Sequence, residues 1–129
     1  MLDTNTLIYF FKGQGKVAEH LFAVPPGEVA ISSVSLYEIE VGIAKSAQAA
    51  KRRKEFDTFL AVVSVFPFDR AAARAAATLR VDLERRGVPI GPLDNLIAGV
   101  AVAHRATLVT RNTREFSRLP GLALADWYD

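Results

Sequence analysis

Three acidic residues of this chain are of the type and placement that could do chemistry: Asp3, Glu38 and Asp94, with Asn112 as a neutral oxygen donor beside them. Carboxylates brought together repel one another, and their pKa values rise unless a cation compensates. A divalent metal ion is the usual compensation. The chain has no cysteine, and only His20 and His104 could offer imidazole. A zinc site is therefore disfavoured, and a hard, oxygen-seeking ion such as Mg²⁺ or Mn²⁺ is the expected metal. Each residue also has a plainer use. Asp3, Asp94 and Asn112 fit helix N-caps. Ser35-Leu36-Tyr37-Glu38 fits a capping box, with Glu38 reaching back to the cap amide. Capping alone does not explain why three acids fall on one edge of the fold.

That edge follows from the elements that must hold them. Short β-branched runs alternate with longer helical patterns. Residues 28–32 (EVAIS), 63–66 (VSVF), 107–110 (TLVT) and 122–125 (LALA) read as strands, and 1–3 as the stub of another. Helical spacing runs over 49–62 and over 70–86, where Ala72, Ala76, Leu79 and Leu83 form one stripe, Asp69 the N-cap and Gly87 the stop. A helix over 94–104 is apolar almost all round and should be buried. The expectation is an α/β domain over residues 1–129, with a mostly parallel sheet of about five strands flanked by helices. Asp3, Asp94 and Asn112 then lie just past the carboxyl ends of strands or at the opening of helices. Glu38 sits one turn into the helix after the second strand. In open α/β sheets, ligand crevices form at that edge.

Composition limits the alternatives. Of the 129 residues half are hydrophobic, enough for a real core. No apolar run reaches the roughly 18 residues of a membrane span, and the first residues lack a signal-peptide layout, so a cytoplasmic protein without a membrane partner is expected. The net charge is only +2. The cations bunch at Lys51-Arg52-Arg53-Lys54, at Arg85-Arg86, and at Arg111, Arg114 and Arg118, a distribution that permits a nucleic-acid partner.

The same residues carry a resemblance. Leu2-Asp3-Thr4-Asn5, residues 35–42 (SLYEIEVG), residues 90–98 (IGPLDNLIA) and residues 108–116 (LVTRNTREF) are similar to the successive motifs of PIN-domain nucleases, most nearly the VapC-type toxins of bacterial toxin–antitoxin modules. Leu119-Pro120-Gly121 and Asp126-Trp127 fit the same group. The resemblance implies a metal-dependent endoribonuclease, a homodimer, an RNA substrate with tRNA among the candidates, and a cognate antitoxin that blocks the site. It gives Asp3, Glu38 and Asp94 the family's three acidic positions. Asn112 stands where many PIN nucleases have a fourth acid, and Asn95 replaces a usually apolar residue.

Other residues are open between two uses. Asn5 either orients the Asp3 carboxylate or serves the turn. Arg111 and Arg114 flank Asn112 and are placed to meet a phosphate; Arg114 and Glu115 could instead pair locally. Lys51 to Lys54 read as a solvated helix face or an RNA contact. Glu40 reads as solvated, Gly42 as close packing or a loosened helix, His20 as surface, and His104 as a helix-end partner for carbonyls. Trp127 and Tyr128 either cover the sheet edge or join an interface. Three rival functions stand beside the ribonuclease: a nuclease acting on DNA or structured junctions, an inactive binding module on the same fold, and a haloacid-dehalogenase-type phosphatase. The last rests on Asp3-Thr4-Asn5-Thr6, which lacks that family's second aspartate.

Overall fold

A computed structural model describes residues 1–129. Its elements run α1 (Thr4–Phe11), α2 (Val17–Phe22), β1 (Ala30–Ser32), α3 (Ser33–Lys45), α4 (Ala49–Leu60), β2 (Ser64–Phe66), α5 (Arg70–Arg85), α6 (Pro92–Ala103), β3 (Leu108–Val109), α7 (Thr113–Phe116) and β4 (Leu124–Ala125). β1 pairs with β2 and β3 with β4, both in parallel. Leu2 bridges the two pairs, facing Ile31 on one side and Val109 on the other, again in parallel. The expected stub is thus the central strand of a five-strand parallel array, ordered β2, β1, Leu2, β3, β4. Its ladder includes Leu2 N–H to the Ala30 carbonyl at 2.9 Å and Asp3 N–H to the Val109 carbonyl at 3.0 Å. The chain winds outward from Leu2 through β1 and β2, then crosses to β3 on the other side. The carboxyl ends of Leu2 and β3 therefore flank the switch point, where open sheets leave a crevice.

Period-two alternation divides the core between the two faces. Met1, Ala30 and Leu108 join a cluster on one face with Ala72, Leu83, Ile97 and Val100 of α5 and α6. Leu2, Ile31 and Val109 join the other with Leu7, Leu21, Ile39, Phe56 and Phe59 of α1 to α4. α5 and α6 pack at unusually short range. A Cβ on Gly99 would lie 2.6 Å from the Ala76 Cβ and 2.8 Å from the Ala72 carbonyl oxygen, so only glycine fits there. Buried Asn95 donates its side-chain amide to the Ala76 carbonyl at 2.9 Å. This asparagine, in place of an apolar residue, ties the first turns of α6 to α5.

Several boundaries differ from the sequence reading. The first strand is shorter, because Pro26–Glu28 forms a 3-10 turn. The helix carrying Asp94 starts at Pro92, as proline at a first helical position allows. α2 was not anticipated, being only six residues long. Asp69 caps α5 through the Ala72 amide, and Gly87 follows it at φ +71°, both as expected.

Candidate active site

Asp3 leaves the Leu2 strand in extended conformation and caps α1, its Oδ1 accepting from the Thr6 amide at 2.8 Å. The capping use is real, but it occupies one oxygen only. The residue is 5% exposed, and its second carboxylate oxygen, without a protein partner, retains access to solvent at the pocket that Asp3 lines.

Glu38 departs from the capping-box expectation. Ser32, not Ser35, caps α3, accepting from the Ser35 amide at 3.0 Å. Ser35 is fully buried in the first turn, and Glu38 is too far along the helix to reach the cap. Its Oε1 instead accepts from the Thr4 hydroxyl at 2.6 Å, and Thr4 Oγ also lies 3.0 Å from the Ser35 hydroxyl. Thr4 is the residue after Asp3. A threonine on α1 therefore aims a glutamate on α3 toward the aspartate of the central strand.

Asp94 is also not a cap. Gly91 takes that position and makes no side-chain bond, so Asp94 is the third residue of α6, in the first turn where the helix dipole favours an anion. Neither of its oxygens receives a hydrogen bond from protein. Burial pushes its pKa up from the ordinary 3.8 to about 6, and the charges of Glu115, Asp3 and Glu38 push it the same way. The three acids drawn from distant parts of the sequence thus share one field. They do not touch: no three acidic or imidazole side chains stand close enough to form a ready-made metal cage.

Glu115 is the acid that the sequence reading missed. Rather than pairing with Arg114, it accepts from the Asn112 side-chain amide and, at 3.2 Å, from the Gly91 backbone amide. Asn112 occupies the cap position of α7 without a side-chain cap bond. The available signal was its spacing, three residues after Asn112 in a helix of one turn, which turns Glu115 back toward the α6 start. None of the chain's ion pairs involves Asp3, Glu38, Asp94 or Glu115. The four acids therefore share one region of the fold, and none of them is ion-paired.

A pocket of about 280 Å³ opens beside Asp3, lined by Asp3, Asn5, Tyr9, Arg111 and Asn112. Asn5 and Tyr9 share a face of α1, four residues apart. Arg114 is exposed and outside that lining, so the two arginines expected to act together are separated. The basic run on α4 is largely committed: Arg53 forks onto both oxygens of Glu40, and Arg52 pairs with Glu55 at 3.3 Å. Glu40 is solvated as expected, its side chain 39% exposed, and is paired as well. His104 stacks flat on Phe66, ring centroids 3.9 Å apart, instead of serving carbonyls with its ring. His20 stacks on Trp127 at 5.9 Å, and Trp127 covers the second core cluster. Gly42 faces open space and permits no special packing.

Comparison with known proteins agrees with this architecture. Residues 1–122 match the family model described as "PIN domain". The chain is 38% identical over 127 residues to the tRNA(fMet)-specific endonuclease VapC of Shigella flexneri, covering 98% of this chain and 96% of that protein. It is 36% identical to ribonuclease VapC2 of Rickettsia felis, with the same coverage. Among solved structures, VapBC2 from Rickettsia felis bound to a DNA fragment from its promoter superposes with a TM-score of 0.91, at 36% identity over 98% of this chain and 97% of that one. DNA-bound VapBC from Salmonella typhimurium gives 0.91 at 35% identity, covering 98% and 96%. With the motifs, the parallel sheet and these relatives in agreement, the chain belongs to the PIN-domain family, within its VapC ribonuclease group.

Proposed function

We propose that this chain is a divalent-metal-dependent endoribonuclease, the toxin of a toxin–antitoxin pair, and that residues 1–129 form one nuclease domain. The observation that carries the reading is the uncompensated acid cluster at the switch point, with Asp94 pushed up to about 6. A structural role would favour an ion-pair partner for those acids, and none has one; Arg111, the cation in the wall of the Asp3 pocket, lies over Tyr128 instead. All donors are oxygen, and Asp3, Glu38 and Asp94 each keep at least one oxygen without a protein partner. That donor set suits Mg²⁺ or Mn²⁺, held by Asp3 and Asp94 directly and by Glu38 directly or through water. Such an ion, when bound, supplies a water of lowered pKa and offsets charge developing on the phosphoryl oxygens.

The protein's own part is positional. Thr4 fixes Glu38, the Thr6 amide fixes Asp3, and Asn95 fixes the helix turn that carries Asp94. Asn112 holds Glu115 in place and stands at the pocket rim. No histidine pair or His–Lys arrangement lines the pocket to activate a ribose 2′-hydroxyl. Water is therefore the nucleophile, the 3′-oxygen leaves, and the products carry 5′-phosphate and 3′-hydroxyl ends. Mass spectrometry of fragments from an RNA substrate tests this. A 2′,3′-cyclic phosphate among the products shows that the 2′-hydroxyl attacked and overturns the mechanism. The Shigella relative's specificity for tRNA(fMet) makes tRNA the first substrate to assay.

The solved neighbours are toxin–antitoxin complexes, which supports an antitoxin partner here. The surface suited to it is a separate apolar groove of about 730 Å³ between α1, α2 and α4, with Phe10, Phe11, Phe22, Phe59, Val62 and Val63 in its wall. Phe22 is 78% exposed, a large aromatic in water without cover. A homodimer, as in the sequence expectation, belongs to the same proposal, and sedimentation of the free chain decides it.

A further inference from the structure

Arg111 is held in a way that the proposed hydrolysis does not itself require. Its guanidinium carbon lies 3.5 Å from the centroid of the Tyr128 ring and 5.8 Å from that of Tyr9. The two rings meet edge to face, centroids 5.0 Å apart. Tyr128 is fixed on three sides. Its amide donates to the Asp126 Oδ1 at 2.8 Å, and its carbonyl accepts from the Lys16 amide at 2.8 Å. Gly15 packs directly against it: with φ at +62°, a Cβ there would lie 2.8 Å from the Tyr128 ring. The loop after α1 has thus given up a side chain to let this ring in. Arg111 forms no ion pair and is exposed; the Tyr9 hydroxyl is its one hydrogen-bonding side-chain neighbour, which leaves guanidinium donors for solvent and the pocket beside Asp3.

A guanidinium whose face is stacked on an aromatic ring keeps its edge donors free, and that edge matches the paired oxygens of a phosphate. We propose that Tyr9, Arg111 and Tyr128 form a phosphate-binding subsite for the RNA backbone, holding a phosphate other than the one attacked. Arg111 is the contacting residue, and Tyr128 is a positioning residue that acts through it. The proposal deepens the nuclease reading and rests on it. The subsite also places one cation at the edge of the acid cluster, where a polyanion would otherwise be repelled.

Binding of a short single-stranded oligoribonucleotide to the full chain, followed by fluorescence anisotropy in EDTA across a salt series, tests it apart from cleavage. Arg111→Ala raises Kd about tenfold at low salt and flattens the logarithmic salt slope by about one. Tyr128→Leu raises Kd about three- to fivefold, and Tyr128→Phe leaves it within about twofold of the native chain. The double variant binds no worse than Arg111→Ala alone, as two residues acting in series require. Additive effects overturn the proposal, as does an unchanged salt slope for Arg111→Ala or failure of the native chain to bind. Arg111 is an exposed side chain, so its variants remain informative even where Tyr128→Leu does not fold. Cleavage of RNA by the native chain in Mg²⁺ reports separately on the nuclease reading. If cleavage is absent while the cycle holds, the subsite stands and the hydrolysis reading falls.

Discussion

Replacing Asp94 by asparagine should stabilise the metal-free protein, and only above a definite pH. Asp94 carries a pKa raised from 3.8 to about 6 by burial and by three neighbouring acids. A carboxyl whose folded-state pKa is raised binds its proton more tightly in the folded state than in the unfolded chain. Its ionisation therefore opposes folding: the cost is absent below about pH 4, grows between about 4 and 6, and is complete above. At about 1.4 kcal/mol per pH unit the full rise corresponds to about 3 kcal/mol. Asp94 is only half-buried, and solvent screening reduces this to about 1.5 kcal/mol. For a chain of this length that is about 6 °C in Tm. Thermal melts in EDTA at pH 4.5 and 8 measure it. The variant should match the native chain near pH 4.5 and melt about 6 °C higher at pH 8. Adding Mn²⁺ at pH 8 should reverse the order, because a ligand that binds only the native site stabilises the native chain by mass action. An equal gain at both pH values would mean that the asparagine merely packs better. No gain at pH 8 would mean that the four acids do not share a field.

Thr4→Val should release Glu38 and leave the buried Ser35 hydroxyl only its longer contact with Ser32, costing about 1 kcal/mol in urea unfolding and lowering kcat more than it raises KM. Gly99→Ala forces a methyl against Ala76 and the Ala72 carbonyl, and denaturant midpoints should show a loss of about 2–3 kcal/mol. In the metal-binding arm, Asn112→Asp adds a charged oxygen beside Glu115 and should tighten Mn²⁺ while lowering metal-free stability; calorimetry showing unchanged affinity would place residue 112 outside the metal's reach.

The edge of the fold on which the acids would sit was legible because strand and helix periods are local properties. Met1–Asp3 reads as a strand from its apolar start, and its central position follows from chain winding. The errors came where a local pattern had two solutions. Ser32 and Ser35 are both good caps, and nothing in the local sequence says that the helix starts three residues early. The choice is made by the parallel pairing of β1 with β2, which ends at Ser32 opposite Phe66. The roles of Asn95 and Glu115 were hidden for a different reason. Their partners, the Ala76 carbonyl and the Gly91 amide, lie 19 and 24 residues away and are backbone atoms, which leave no trace in side-chain identity. Tyr128 gains its position from Gly15, more than a hundred residues earlier, a relation that no local spacing encodes.

The single bridging residue at the centre of the sheet also bears on the order of folding. Leu2 precedes both of its partners in the chain, Ile31 and Val109. Closing the second contact joins positions 107 residues apart, the kind of non-local pairing that forms late in folding. Until it closes, Asp3 has no Val109 carbonyl to anchor its amide, and Arg111, Asn112 and Glu115 have not arrived at the crevice. A chain in which β3 has not paired thus lacks the crevice, however well its first helices have formed. The topology brings the acids of α6 and the α7 turn together with Asp3 only once β3 has docked, so the crevice is among the last features of the fold to form.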